Sequence, residues 1–198
     1  NAAEAYRENR LGPLVYKAHE QLTRIVMPAT LLLILAGPEL FRLVFGEQWR
    51  EAGVFALWMA PWLYMVFITS PLSTLFSIME KERHGMFFQA LLLVMRMVAI
   101  GIGAWQQDLL VAVILFSLTS VLCWLGFLTW VIVNSGNKVL AVFKPTLISL
   151  ILSTICISPL WLSFVMGQSK TDISLGMGAT ALLLFYYYFN LVKRAYIS

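Results

Sequence analysis

Residues 109–133 read LLVAVILFSLTSVLCWLGFLTWVIV and contain no charged side chain. An α-helix of about 20 apolar residues is long enough to cross the hydrocarbon core of a bilayer. The run starts directly after Asp108 and ends in the turn-forming cluster Asn134-Ser135-Gly136-Asn137. This stretch therefore predicts a membrane-spanning helix, and it sets how the rest of the chain is interpreted.

The overall composition agrees with a membrane protein. Hydrophobic residues make up 60% of the 198 residues and charged residues only 12%, against about 45–50% and about 25% in soluble domains. A solvated globular domain and a disordered chain are both excluded, because the first needs more charge and the second needs low hydrophobicity. In a membrane protein the position of charges matters more than their sum, so the net charge of +4 does not indicate a nucleic-acid partner.

Other apolar runs of similar length flank this stretch and predict an all-α, polytopic transmembrane helix bundle of about six spans. The predicted spans are Leu22–Phe45, Ala52–Met79, His84–Trp105, Leu109–Val133, Pro145–Met166 and Ile173–Val192. We divide the chain into a cytoplasmic amphipathic segment (1–21), four transmembrane helices (22–134), and two further helices with a short cytoplasmic tail (135–198). Residues 1–21 fit a helix lying on the membrane surface and an ordinary solvated helix equally well.

Prolines inside the first two predicted spans indicate irregular helices. Pro28 lies near the start of the first span and Gly37-Pro38 near its end. Because proline lacks an amide donor and clashes with the preceding turn, we expect a kink or a break at Gly37-Pro38. Pro61 and Ser70-Pro71 are expected to bend the second span in the same way.

The distribution of basic residues gives the orientation. With six spans, one side of the membrane holds Arg7, Arg10, Lys17, Arg24, Lys81, Arg83, Lys138, Lys144, Lys193 and Arg194. The other side holds Arg42, Arg50 and Lys170. Because cytoplasmic loops are enriched in lysine and arginine, this bias of ten to three places both termini of this stretch in the cytoplasm of a multi-pass membrane protein.

The residue types that carry enzyme chemistry are scarce. The sequence contains no glycine-rich phosphate loop, HExxH or GxSxG motif, so we expect neither an enzyme nor a cofactor. Cys123 and Cys156 lie in apolar runs without metal-ligand spacing, and we interpret them as small packing residues. His19 and His84 lie far apart near the ends of predicted spans, and we expect interfacial residues rather than metal ligands.

Arg96 lies near the middle of the third predicted span and is the best candidate for function. A charge there costs about 2.5–3.5 kcal/mol even on the lenient insertion scale, and no carboxylate lies deep in another span. Arg96 therefore pairs with an acid from the expected preceding helices, or binds an anion such as phosphate or pyrophosphate, which arginine contacts bidentately. The structural alternative is an arginine that is bonded to helix-end carbonyls or snorkels. Arg24, at the cytoplasmic end of the first span, is a weaker candidate for substrate binding because it can snorkel.

Two motifs connect this sequence to a known family. Residues 37–53 read GPELFRLVFGEQWREAG, with the distinctive pattern Phe-Gly-x-x-Trp-x-x-Ala-Gly at 45–53, and residues 68–76 read ITSPLSTLF. Together with the opening Ala-Glu-Ala-Tyr-Arg-Glu-Asn, these stretches resemble the C-terminal part of bacterial flippases for O-antigen, capsule and exopolysaccharide. Those flippases belong to the multidrug/oligosaccharidyl-lipid/polysaccharide exporter superfamily. The resemblance covers residues 1–130 well and the last two spans only by pattern.

The resemblance implies a fold and a function. The family fold has about 12–14 helices in two lobes around a cavity that opens alternately to either face. The chain lacks an initial Met, and we expect preceding helices that complete the bundle. The implied substrate is an undecaprenyl-pyrophosphate-linked oligosaccharide, flipped across the inner membrane for lipopolysaccharide or other surface polysaccharide synthesis. The implied partners are a polysaccharide polymerase and glycosyltransferases. No family motif maps onto Arg96.

Two other functions remain open. A multidrug exporter of the same superfamily is one alternative, although such proteins usually need intramembrane acids for ion coupling and none lies deep in these spans. A membrane-embedded polysaccharide-modifying enzyme is the other, but the longest predicted loop, near residues 134–144, offers only lysines and polar groups.

Overall fold

A computed structural model describes residues 11–166 and 170–197, and the expected all-α fold is confirmed in these ranges, which contain no strand. We number the helices in chain order. They are α1 (Leu11–Phe45), α2 (Arg50–Thr69), α3 (Leu75–Ile78), α4 (Glu82–Trp105), α5 (Leu109–Asn134), α6 (Val139–Met166) and α7 (Lys170–Ile197). Short 3-10 helices over Glu47–Trp49 and Ser70–Thr74 precede α2 and α3.

Six helical stretches within the described residues are long and apolar enough to cross a membrane. The stretch that contains α2 continues through the 3-10 turn into α3, and the other five stretches lie in α1, α4, α5, α6 and α7. Many large apolar side chains on their outer faces are exposed, among them Met86 and Leu182 at 74% and 71%. Such side chains suit contact with lipid, so the chain has the architecture of a multi-pass membrane protein.

Helix α1 is longer than the first predicted span. It has 35 residues, or about 52 Å at 1.5 Å per residue. Residues 11–21, which we assigned to a separate amphipathic segment, form its first turns; residues 1–10 lie outside the described part. The break considered at Gly37-Pro38 does not occur, since the helix continues through both Pro28 and Pro38.

Side chains from other positions satisfy backbone groups that two prolines leave free. The missing amide of Pro28 would have bonded to the carbonyl of Arg24, four residues earlier. The Tyr187 hydroxyl on α7 donates to that carbonyl at 2.8 Å. In α6, the Ser158 hydroxyl donates to the carbonyl of Ile155 at 2.8 Å, the group freed by Pro159. Such replacement bonds allow proline within membrane helices.

The second predicted span is irregular where the sequence indicated. After Thr69 the chain changes from an α-helix to the 3-10 helix Ser70–Thr74. The hydroxyls of Ser73 and Thr74 donate to the carbonyls of Ser70 and Pro71 at 2.7 and 3.0 Å. The chain then reverses at Glu80, which has a positive φ of 55°, and enters α4.

The long helices pack in the order α7, α6, α1, α2, α5, α4. The expected antiparallel pair α4 and α5 is joined by the short turn Gln106-Gln107-Asp108. The pair approaches closely because Ala99 and Gly103 are buried; a Cβ atom at Gly103 would lie 2.3 Å from that of Ala112. The central α1, α2 and α5 enclose the apolar core, which includes Val15, Ile68 and Val131.

Candidate functional site

Arg96 lies where α4 meets α5 and α2. Its Nε donates a hydrogen bond to Ser120 Oγ on α5 at 2.9 Å, and Ser120 is fully buried. The guanidinium lies over two aromatic rings, 4.8 Å from the centroid of Phe116 and 5.3 Å from that of Trp62. The two rings contact each other edge to face, with centroids 5.0 Å apart. Cation–π contacts of this kind stabilise a cation where water is scarce.

The surroundings of Arg96 leave hydrogen-bond donors in excess. Arginine has five N–H donors, and the hydrogen bond found within residues 11–166 and 170–197 uses one of them. No carboxylate of those residues lies within ion-pair distance. The indole N–H of Trp62 is buried and also lacks an acceptor there. The unused donors of Arg96 suit an anion, whereas its bond to Ser120 and its contacts with the two rings suit a structural arginine.

Arg24 lies in a different part of the molecule. Its Nη2 forms an ion pair with Glu20 Oε1 at 2.6 Å, one helical turn earlier on α1. The side chain also lines a groove of about 400 Å³ between α1, α6 and α7. The groove is not lined by any of the three residues that contact Arg96, which are Ser120, Trp62 and Phe116. The two predicted substrate-binding arginines therefore occupy separate environments.

The groove beside Arg24 combines a few polar groups with a mostly apolar wall. Arg24, Tyr186 and Asn190 provide polar groups toward the C-terminal end of α7. Aliphatic side chains form most of the remaining wall, namely Ile148, Leu152, Ile155, Leu183 and Leu191. Hydrogen bonds from Tyr187 and Tyr188 to the carbonyls of Arg24 and Ile25, both 2.8 Å long, hold α7 against α1. The groove thus offers one cation and a mostly aliphatic wall.

A buried polar cluster at α1, α2 and α6 was not predicted from the sequence. His19, expected at the interface, is only 2% exposed, and its Nε2 lies 3.1 Å from the Thr146 hydroxyl on α6. Thr23, fully buried, lies 3.5 Å from the same nitrogen and 3.3 Å from the Tyr64 hydroxyl on α2. The sequence did contain a signal, because the buried positions Leu11, Val15, His19, Thr23 and Met27 recur every four residues, along one helix face.

The remaining candidates do not form a metal centre. Within the described ranges, no group of three or more His, Cys, Asp and Glu side chains could hold a metal ion. His84 is exposed and stacks on Trp130, with ring centroids 6.1 Å apart. Cys123 and Cys156 are half-buried free thiols.

Comparison with known proteins gives no assignment, since no family model, no curated protein and no solved structure matches this chain.

Proposed function

We propose that this chain is part of a transporter that flips an anionic, lipid-linked oligosaccharide across the bacterial inner membrane by alternating access. The substrate class that we favour is an undecaprenyl-pyrophosphate-linked repeat unit used for surface polysaccharide synthesis. The two termini of the chain would face the cytoplasm, where glycosyltransferases assemble the substrate. The pattern at residues 37–76, which resembles polysaccharide flippases, motivates this substrate class.

The observation that carries the proposal is the groove beside Arg24. A lipid-linked substrate has a charged head and a long apolar chain, and the groove offers the cation Arg24 together with an aliphatic wall. Its volume of about 400 Å³ falls within the usual range for small-ligand sites. Arginine binds phosphate oxygens bidentately, so Arg24 would bind the pyrophosphate while the wall holds the first part of the chain.

In this proposal Arg96 supplies a second anion contact, at the other end of the row of helices from the groove. Its unused N–H donors would bind phosphate oxygens. The aromatic rings of Trp62 and Phe116 already hold the guanidinium in place. Preorganisation of this kind lowers the cost of ordering the side chain when a ligand binds.

Export of cationic drugs is less well supported. The fully buried polar side chains among the described residues are histidine, threonine and serine, without a carboxylate. The acid near the groove, Glu20, is bonded to Arg24. A cationic drug therefore finds no buried counter-charge in the described ranges.

The proposal is tested with substitutions in the full-length protein, by measuring surface polysaccharide and the amount of protein in the membrane. We expect Arg24→Gln and Arg96→Gln to lower polysaccharide export by about 10–100-fold, because a hydrogen bond to a charged group contributes about 1.5–3 kcal/mol. Arg42→Gln is the matched control, since Arg42 bonds to Glu39 on the surface of α1.

Glu20→Gln separates substrate binding from a structural ion pair. If Arg24 only stabilises α1 through Glu20, both substitutions should reduce export equally. If Arg24 binds the substrate, Glu20→Gln should keep at least wild-type export, because it frees the guanidinium. Wild-type export in both arginine variants, at normal protein levels, would refute the proposed function of these residues.

A further inference from the structure

We infer that the buried His19 ring and the cavity beside it form a proton-binding site that couples transport to a proton gradient. This inference rests on the proposed function for the coupling, but the site itself can be tested without a transported substrate. It follows from the bonding of the ring, from the space next to the ring, and from the absence of competing charges among the described lining residues.

The bonding of His19 leaves one ring nitrogen with a free lone pair. With the Thr146 hydroxyl donating to the Val142 carbonyl at 3.4 Å, we assign the ring hydrogen to Nε2, which then donates to the Thr146 hydroxyl at 3.1 Å. Nδ1 is then the unprotonated nitrogen. It is buried and has no hydrogen-bond partner among the described residues. Buried polar atoms are nearly always satisfied, so an unpartnered acceptor needs a function or a ligand.

Space for water adjoins the ring. His19 lines a partly open cavity of about 70 Å³ between α1, α2, α5 and α6. This volume is larger than one water molecule needs, about 30 Å³ in the liquid. Hydroxyls of Tyr64, Thr129 and Thr146 also line it and offer partners for such water molecules. A protonated ring could therefore donate from Nδ1 to water while Nε2 keeps its bond to Thr146.

The groups that face His19 carry little charge. Helix α2 contributes the phenol of Tyr64, α6 contributes the Thr146 hydroxyl, and α5 contributes Thr129 with aliphatic side chains. Neither a carboxylate nor another cation among the described residues lines the cavity. Glu20 and Arg24, next along α1, bond to each other and do not line it. His19 is therefore the basic side chain that lines this cavity among the described residues.

The proton step needs no other reactant. A proton from one aqueous side adds to the Nδ1 lone pair when the helices open the cavity to that side, and the same N–H bond breaks when the cavity opens to the other side. Because α1 carries both His19 and Arg24, protonation of the ring and binding of the lipid in the groove would both act on the position of the same helix. One proton per lipid would couple the two movements.

The coupling is tested in proteoliposomes with a fluorescent polyprenyl-pyrophosphate-linked oligosaccharide, by measuring its distribution between leaflets under a gradient of one pH unit. One proton per lipid corresponds to a ratio of about ten, since one pH unit is a tenfold difference in proton activity. We expect this ratio for the wild type and for His84→Gln, the matched control at the exposed histidine. We expect a ratio near one for His19→Gln, whose amide can still donate to Thr146.

Each outcome of this assay decides one of the two proposals. A ratio near ten in His19→Gln would overturn the proton site. Flipping without accumulation in the wild type would also overturn it while leaving the flippase proposal intact. No movement of the lipid in the wild type would refute the flippase proposal instead, and the proton site would then be judged from the next measurement.

The ring can be observed directly by nitrogen NMR of the His84→Gln variant in lipid nanodiscs. We expect a bare Nδ1 and a protonated Nε2 at pH 8, and a change toward the imidazolium as the pH falls to 4 with the helices intact. This measurement needs neither a substitution at position 19 nor a substrate. A ring with Nδ1 protonated at pH 8, or one that does not change down to pH 4, would overturn the site.

Discussion

Gly53→Ala tests the packing between α1 and α2, the two helices that are connected by the motif at residues 37–53. A Cβ atom at position 53 would lie 2.6 Å from the carbonyl oxygen of Gly37 and 2.6 Å from the Cα of Pro38. Both atoms belong to the backbone of α1 and cannot rotate away. Since carbon atoms pack at about 3.5–4.0 Å, α1 and α2 would have to separate locally by about 1 Å.

The expected cost follows from two opposing effects. Forcing a methyl group into a packed interface costs about 1–3 kcal/mol, whereas alanine is favoured over glycine in a helix by about 0.8–1.0 kcal/mol. Gly101→Ala is the matched control, because nothing lies within 4 Å of a Cβ atom at that position in α4. We expect Gly53→Ala to be less stable than Gly101→Ala by about 1–3 kcal/mol, with the propensity term cancelling.

The assay is the free energy of unfolding in mixed detergent micelles, from SDS titration followed by tryptophan fluorescence. Both variants should be expressed in the full-length protein and compared with the wild type. Equal stabilities of Gly53→Ala and Gly101→Ala would refute the close approach of α1 and α2 and, with it, the packing role that we assign to this glycine pair.

Two other contacts make similar predictions. The Asp108 carboxylate caps α5 by accepting hydrogen bonds from the amides of Leu110 and Val111 at 2.8 and 3.2 Å. In the same titration, Asp108→Ala should lower the free energy of unfolding by about 1 kcal/mol, and Asp108→Ser should change it little. Equal losses of stability in both variants would contradict the cap. The Thr180 hydroxyl accepts a hydrogen bond from the buried Leu160 amide at 3.1 Å. Thr180→Val should lower the free energy of unfolding by about 1–3 kcal/mol, whereas Thr180→Ser should remain close to wild type. Wild-type stability of Thr180→Val would show that this hydrogen bond contributes nothing.

Local patterns were sufficient for the helices. The predicted span Leu109–Val133 matches α5 to within one residue, and Glu80 ends the second span where the charge cluster begins. The second span also becomes a 3-10 helix at Ser70-Pro71, as the proline indicated. By contrast, α6 begins at Val139 instead of Pro145, because proline is compatible with the first turn and does not define where a helix starts.

The contacts around the candidate site residues could not be predicted from the sequence. The sequence identified Arg96 as an unpaired charge, but it gave no indication that Phe116 and Trp62 lie beside the guanidinium. We expected His19 to be an interfacial residue near the cytoplasmic surface, yet it is buried against α2 and α6. Which face of an apolar helix meets which neighbour depends on packing, since a helix that is hydrophobic all round has no marked buried side.

The sequence by itself determined that the chain forms helices that can span a membrane, because hydrophobicity and the thickness of a bilayer act on one stretch at a time. Only the tertiary structure decided which group bonds to the Arg24 carbonyl that Pro28 leaves free, because that group is the hydroxyl of Tyr187, 163 residues away. The same holds for Thr146, which lies 127 residues from His19 and bonds to its ring. Partners so distant in sequence meet only when the helices pack, and the candidate sites of this protein consist of such partners.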